Sequence, residues 1–258
     1  MRFNGALWYQ GEANAGDPAS YCCRFPAMVA DWRKKMGLPL PFFFVQLAPP
    51  NPALGTGYAL IRQAQMCALQ LPQTGYAIAL DLGDPTSHAG SIHPRRKQEV
   101  GRRLMLAVND VVYGRGATQQ TYGPVFSSAS VAGGVVEIQY QRGTANGLHS
   151  APCAACETVN SKLCCGESPF ELSTDGVTWS RANFAIAGET VKIAVKPGED
   201  VKHVRYAWES MPQCSLYAGQ GAPGTGPNGT EPTGVPGATG VAAAPFLANV
   251  TSTSERFV

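Results

Sequence analysis

Two rhythms of apolar residues divide this chain. Up to about Tyr113, short apolar runs alternate with segments whose apolar residues fall every three or four positions. "FNGALWYQ" predicts a strand that ends in the polar, small-residue turn "GEANAGDPAS". From Ser20 to about Met36, Phe25, Met28, Val29 and Trp32 paint one helix face, and Gly37 and Pro39 stop it. "PFFFVQLA", Pro41 to Ala48, is continuously apolar, the pattern of a strand covered on both faces. "YALIRQAQMCALQL" predicts a second helix and "GYAIALDLGD" a further buried strand. A third helix is expected from about Arg95 to Tyr113, with Val100, Leu104, Ala107, Val108 and Val111 on one side. Strand and helix in alternation predict an α/β fold, a parallel sheet wrapped by helices.

Around Gly114 the pattern changes. "GPVFSSASVAGGVVEIQYQ", "FELSTDGVTWSRA", "TVKIAVKP" and "HVRYAWES" are short β-rich runs separated by Gly, Asp and Pro, as in an antiparallel sandwich-like module. The expected domains are therefore 1–113, α/β, and 114–258, β-rich. Near 218–241 the chain is so rich in Gly, Pro and Thr that it cannot build a core, and a disordered insertion is expected there before the final apolar piece "APFLANV".

Composition narrows the function classes. A length of 258 residues suffices for one large or two small domains with real cores. Charged residues make up 15 % and the formal charge is +2, which leaves no electrostatic footprint for nucleic acid or an anionic membrane. No apolar run reaches the roughly 18 residues of a membrane span. The N-terminus does not read as a signal peptide, because its apolar part runs directly into Gln10 and Glu12. Met1 lies almost on top of a motif, so an upstream segment is expected. Eight cysteines and two N-x-[ST] sequons, at Asn228 and Asn249, favour an oxidising compartment. Disulfides are the expected use of the cysteines. Zinc held by Cys153, Cys156, Cys164 and Cys165 is the lesser alternative, since their spacing departs from a zinc ribbon.

In an open parallel sheet, ligands bind beyond the carboxyl ends of the strands. The first predicted strand delivers Gln10, Glu12 and Asn14 there, the second Gln46, and the third Asp81, Asp84 and, after a loop, His93. An imidazole at such a place can take and return a proton at neutral pH, which makes His93 the candidate general base; the bland reading is an ordinary loop histidine. His88 lacks the helix that follows His93 and is the weaker candidate. Gln10 and Asn14 carry N–H groups able to donate to a developing oxyanion, set against plain turn formation and capping.

The motifs "ALWYQGEANA", "FPAMVADWR", "IRQAQ", "ALDLGDP", "SIHPRRKQEVGRRL" and "VRYAWESMPQCSLY" with "APFLANV" occur in an order that resembles the sialate O-acetylesterases, a branch of the SGNH-hydrolase superfamily. The resemblance implies a partial SGNH, flavodoxin-like sheet in 1–113 and removal of O-acetyl groups from sialic acids by a serine nucleophile. It implies no metal or organic cofactor, and a secreted or lysosomal location with the signal peptide upstream. His93 matches the family's catalytic histidine, and Gln10, Gly11, Glu12 and Asn14 match the block that lines the active site and helps the oxyanion hole. Two departures stand out. Where relatives carry an aspartate just before the "IHP" histidine, this chain has Ser91, so the orienting acid is either Asp84, reaching in from the strand end, or absent, with Asp84 preferred. The family's "GQSNM"-like nucleophile turn is missing, and Ser20, Ser87, Ser91 and Ser127 do not sit in a strand-to-helix elbow. The expectation is a C-terminal portion that holds the base and part of the oxyanion hole and is inactive by itself. The alternatives are an acetylxylan-type polysaccharide esterase and a non-catalytic carbohydrate-binding remnant.

Overall fold

The computed structural model describes residues 3–50, 57–116, 121–153, 166–219 and 240–252. The chain divides into two compact units, residues 1–122 with Glu209–Met211, and residues 123–208 with 212–258. Tyr122 groups with the first unit, where it stacks on Tyr76 at 4.7 Å between ring centres.

The first unit is a parallel sheet of β1 (Ala6–Trp8), β2 (Phe42–Gln46) and β3 (Thr74–Ile78), in that spatial order, with helices α1 (Pro18–Met36), α2 (Gly57–Gln65) and α3 (Lys97–Val111). The α/β expectation holds, and the apolar run "PFFFVQLA" yields the central strand β2, every residue of which is buried. Its alternating side chains explain why. Phe42 and Phe44 meet Phe25 of α1 at 6.0 and 5.3 Å. Phe43 instead lies against β3 beside Ala107 of α3, at the one position where β3 has no side chain. A Cβ on Gly75 would stand 2.9 Å from the Phe43 ring and 3.3 Å from Ala107.

Helix ends follow local chemistry. Asp17 accepts a hydrogen bond from the Ser20 amide at 3.3 Å and Pro18 occupies the first turn, so α1 begins two residues before the apolar stripe. Gly37 closes it in the left-handed region, φ 63°. The helix expected over Tyr58 to Leu71 is shorter: α2 ends at Gln65 and tightens into a 3-10 turn, Met66–Gln70. Within that turn Cys67 is disulfide-bonded to Cys22 of α1, 45 residues away in sequence. Replacing both cysteines with alanine is expected to lower unfolding stability by about 2–4 kcal/mol, since the bond closes a long loop in the unfolded chain. Urea denaturation of the double variant beside the parent checks this.

The second unit runs through β4 (Phe126–Ala132), β5 (Val135–Tyr140), β6 (His149–Pro152), β7 (Phe170–Ser173), β8 (Ser180–Arg181), β9 (Phe184–Ala187), β10 (Thr190–Ala194), β11 (His203–Tyr206), β12 (Cys214–Ala218), β13 (Val241–Ala242), β14 (Phe246–Asn249) and β15 (Thr251–Ser252). Among the described residues these form a sheet β15-β4-β5-β10-β9, a sheet β14-β11-β7-β8 and a sheet β13-β12-β6. All pairings are antiparallel except β15 with β4. The first two sheets meet through Phe126 on Phe246 at 4.2 Å and Phe170 on Phe184 at 5.1 Å, with Val136, Ile138, Val191, Ile193 and Val204 fully buried.

The Gly/Pro-rich insertion expected near 218–241 has strand residues at both ends, because Ala218 of β12 pairs with Val241 of β13. Residues 220–239 between them, with Asn228, lie outside the described residues, as do Cys156, Cys164 and Cys165. Cys214 is disulfide-bonded. Among the described residues no cluster of His, Cys, Asp and Glu has the form of a metal site, and no helix is long and apolar enough to cross a membrane.

Candidate active site

The first three predicted site residues meet where β1 ends. Gly11 adopts φ 145°, a conformation side chains rarely tolerate, and a Cβ there would press on Gln65 Nε2 and Leu47 Cδ1, each at 3.3 Å. The bend turns the chain into the 3-10 segment Glu12–Asn14, closed by the Asn14 amide donating to the Gly11 carbonyl at 2.9 Å. Within it Gln10 Nε2 donates to Asn14 Oδ1 at 2.8 Å. That bond engages the Asn14 carboxamide oxygen and leaves its N–H groups for another acceptor. The Tyr21 hydroxyl, 3.3 Å from both Gln10 oxygens, supports the turn from α1.

Two residues of the "IRQAQ" stretch, Arg62 and Gln65, brace the carboxyl ends of the strands, and Gln65 reaches this turn. Gln65 is fully buried: its Nε2 donates to the carbonyls of Gln10 (3.1 Å) and Val45 (2.9 Å), and its Oε1 accepts from the Leu47 amide (3.0 Å). One side chain thus ties the carboxyl ends of β1 and β2 together. Arg62, also fully buried, donates to Leu47 O, Glu209 O and Ser210 O, each at 2.8 Å. The available signal was two polar residues at i and i+3 on the same face as Ile61 and Ala64, an apolar stripe interrupted for a reason.

The loop after β3 carries Asp84 and His93. Amides of Ser87, Gly90 and His93 donate in sequence to the carbonyls of Asp84, Ser87 and Gly90, at 3.1, 3.0 and 2.8 Å, and Ser87 Oγ donates to the His93 carbonyl at 2.7 Å. Asp84 closes the loop by accepting from the Arg95 amide (3.1 Å) and, through both oxygens, from the Arg95 guanidinium (2.6 and 2.7 Å). The His93 ring is exposed and makes no hydrogen bond to another described residue. The structure therefore places Asp84 and His93 in one braced loop, with the carboxylate engaged by Arg95 rather than by the imidazole. His88 lies in the same loop, and Ser91 has no role in the bracing.

The Arg95 guanidinium holds the Asp84 carboxyl down to about 2, below the ordinary carboxylate range. A carboxylate whose folded pKa is depressed adds stability above its unfolded value, about 3.9, and loses that contribution as pH falls toward the folded value. Arg95→Ala is accordingly expected to flatten the decline of stability between about pH 4 and pH 2 and to lower the plateau above it. Circular dichroism melts across that range check this; superimposable profiles would show that the pair contributes nothing.

Lys97, four residues after His93, links the two parts of the site. Its ammonium lies 4.2 Å from the centre of the Tyr9 ring, one residue before Gln10. Desolvation lowers its pKa, while the negative charge of Glu12 acts in the opposite direction. Glu12 and desolvation both raise Tyr9, desolvation more. The end of β1 and the start of α3 thus share one half-buried, charge-balanced edge. The loop that carries the His93 imidazole and the turn that carries the Gln10 and Asn14 carboxamides both follow carboxyl ends of parallel strands, where ligands of such sheets bind.

The pattern of the family described as carbohydrate esterase, sialic acid-specific acetylesterase, matches residues 1–109, a segment that contains Gln10, Gly11, Glu12, Asn14, Asp84 and His93. The similarity to that family of carbohydrate esterases thus lies in the α/β unit. Among relatives, a sialate O-acetylesterase of Pongo abelii is 28 % identical over 244 residues, 84 % of this chain and 44 % of that protein. A sialate O-acetylesterase of Mus musculus is 37 % identical over 131 residues, 44 % of this chain and 24 % of that protein. The crystal structure of a carbohydrate acetylesterase from Xanthomonas citri superposes with a TM-score of 0.69 at 29 % identity, over 96 % of this chain and 50 % of that one. The chain spans half or less of the length of each of these relatives.

Proposed function

We propose that this chain is part of a carboxylic-ester hydrolase that removes O-acetyl groups from sialic acids by a serine and histidine mechanism. The observation that carries the reading is the His93 loop: an exposed imidazole, braced through its backbone and not through its ring, inside the segment that matches the esterase family. In this reading a serine hydroxyl gives its proton to His93 as its oxygen attacks the acetyl carbonyl. The oxyanion accepts from the amide groups of Gln10 and Asn14. The tetrahedral adduct expels the sugar oxygen, which takes the proton from the imidazolium. Water, deprotonated by His93, then releases acetate and restores the serine. Asp84 serves as a positioning residue that holds the loop through Arg95.

The attacking serine is assigned to a segment other than the described residues. Ser87 Oγ is committed to a backbone carbonyl, and no described serine is hydrogen-bonded to the His93 ring. The isolated chain is accordingly expected to release no acetate. The Cys22–Cys67 disulfide and the exposed sequon at Asn249 support a secreted or lysosomal setting. A second reading, an esterase for neutral acetylated polysaccharide, draws on the Xanthomonas relative. Acetate release from O-acetylated sialic acid and from acetylated xylan, by the natural gene product and by this chain alone, decides among them. Faster release from the sialic acid supports the first reading, and faster release from xylan the second. Glycan binding without acetate release from either would show a non-catalytic binding protein.

A further inference from the structure

We propose that the β-rich unit carries a separate subsite for one neutral sugar unit. A cavity of about 370 Å³ opens between the β7–β8 hairpin and the chain following β10. It falls within the size range of small-ligand pockets, about 300–1,000 Å³. Its floor is apolar, made by Leu172 and Val201, which are both buried. Polar side chains also line it, and among them Thr174, Ser180 and Asn183 make no side-chain hydrogen bond to another described residue. A pyranose has the matching amphipathic shape, C–H groups on one face and hydroxyls around its edge.

The polar lining is built before any ligand arrives. The Asp175 carboxylate accepts from Ser173 Oγ (2.9 Å) and from the amides of Val177 (2.8 Å) and Thr178 (2.7 Å), so the turn that carries Thr174 and Thr178 needs no ordering on binding. The charges point to a neutral ligand. Arg181 is paired with Glu167 at 3.3 Å and donates to Ser168 O, and Lys196 is paired with Glu199 at 3.6 Å. An acidic sugar would find both cations already compensated, whereas a neutral one meets free hydroxyl and amide groups. This subsite is distinct from the ester-cleaving reading and does not depend on it.

The test is a nitrogen–proton correlation spectrum of the whole chain, titrated separately with methyl β-galactoside, methyl N-acetyl-β-glucosaminide, methyl β-xyloside and a methyl sialoside. Expected are saturable shifts with at least one neutral glycoside, at a Kd of about 1–10 mM, confined to residues 172–183 and 194–201. The sialoside should bind about tenfold more weakly or not at all, and Ser180→Ala with Asn183→Ala should weaken the neutral sugar about tenfold while the rest of the spectrum stays in place. Shifts that rise linearly for every probe, tighter binding of the sialoside, saturable shifts elsewhere in the chain, or an affinity unchanged in the double variant would each overturn the proposal.

Discussion

His93→Ala is expected to lower kcat for acetate release by about 10³-fold, within the range that a general base contributes, without a comparable loss of stability. The separation of the two effects follows from how the residue is held. Its amide donates to Gly90 and its carbonyl accepts from Ser87, and both bonds survive truncation at Cβ. The ring is exposed and braces no described neighbour, so its removal should change stability by no more than about 0.5 kcal/mol. The measurement belongs in the form of the protein that releases acetate, with urea unfolding run in parallel. A variant that keeps its kcat would place the base elsewhere. A variant that loses activity and stability together would make His93 a structural residue of the loop. Asp84→Asn should behave differently: with its charge gone, the Arg95 clasp weakens, and both kcat and stability fall modestly because the loop is no longer closed.

These residues also show how far a sequence can be read. The period of the apolar positions located the three parallel strands and three helices of the first unit, because burial on both faces of β2 forces a continuous apolar run and burial on one face of a helix forces a stripe. The strand ends then pointed to Gln10, Asn14, Asp84 and His93. Contacts set by backbone carbonyls of distant segments were not legible. Arg62 reaches Glu209 and Ser210, 147 and 148 residues away, and no local pattern encodes that. Proximity along the chain suggests Asp84 as a partner for His93, but Arg95 competes for the same carboxylate. Arg95, two residues beyond the histidine, offers a planar fork that matches both carboxylate oxygens, whereas a neutral imidazole offers a single N–H. Nor does the apolar stripe of the helix after His93 reveal that two of its charged residues, Glu99 and Arg103, are buried.

That inward pair supports the largest stability effect expected in this chain. Arg103, 1 % exposed, donates through two nitrogens to Asp81 at 2.6 and 2.8 Å, to Glu99 at 2.7 Å and to the Ile78 carbonyl at 2.7 Å. Asp81 is fully buried. Asp81→Ala would leave the guanidinium in the core without the carboxylate that meets it end-on, and the expected cost is about 3–5 kcal/mol. Such a loss is a large part of the roughly 5–15 kcal/mol that holds a typical domain. Arg103→Met should cost a similar amount, because it removes the guanidinium that meets both oxygens of the buried Asp81 carboxylate. The double variant Asp81→Leu with Arg103→Met should be less destabilised than the sum of the two, since removing both charges also removes the desolvation they carry. A double-mutant cycle by urea unfolding reads this directly. Strict additivity, or a cost below about 1 kcal/mol for Asp81→Ala, would mean that Glu99 and the carbonyl alone satisfy the guanidinium. The cluster also bears on the site, because Asp81 lies just past β3 and three residues before Asp84. Pinning it to α3 fixes the point from which the His93 loop departs and the helix to which it returns. Asp81→Asn, which keeps the shape and drops the charge, should therefore reduce kcat even under conditions where the fold persists.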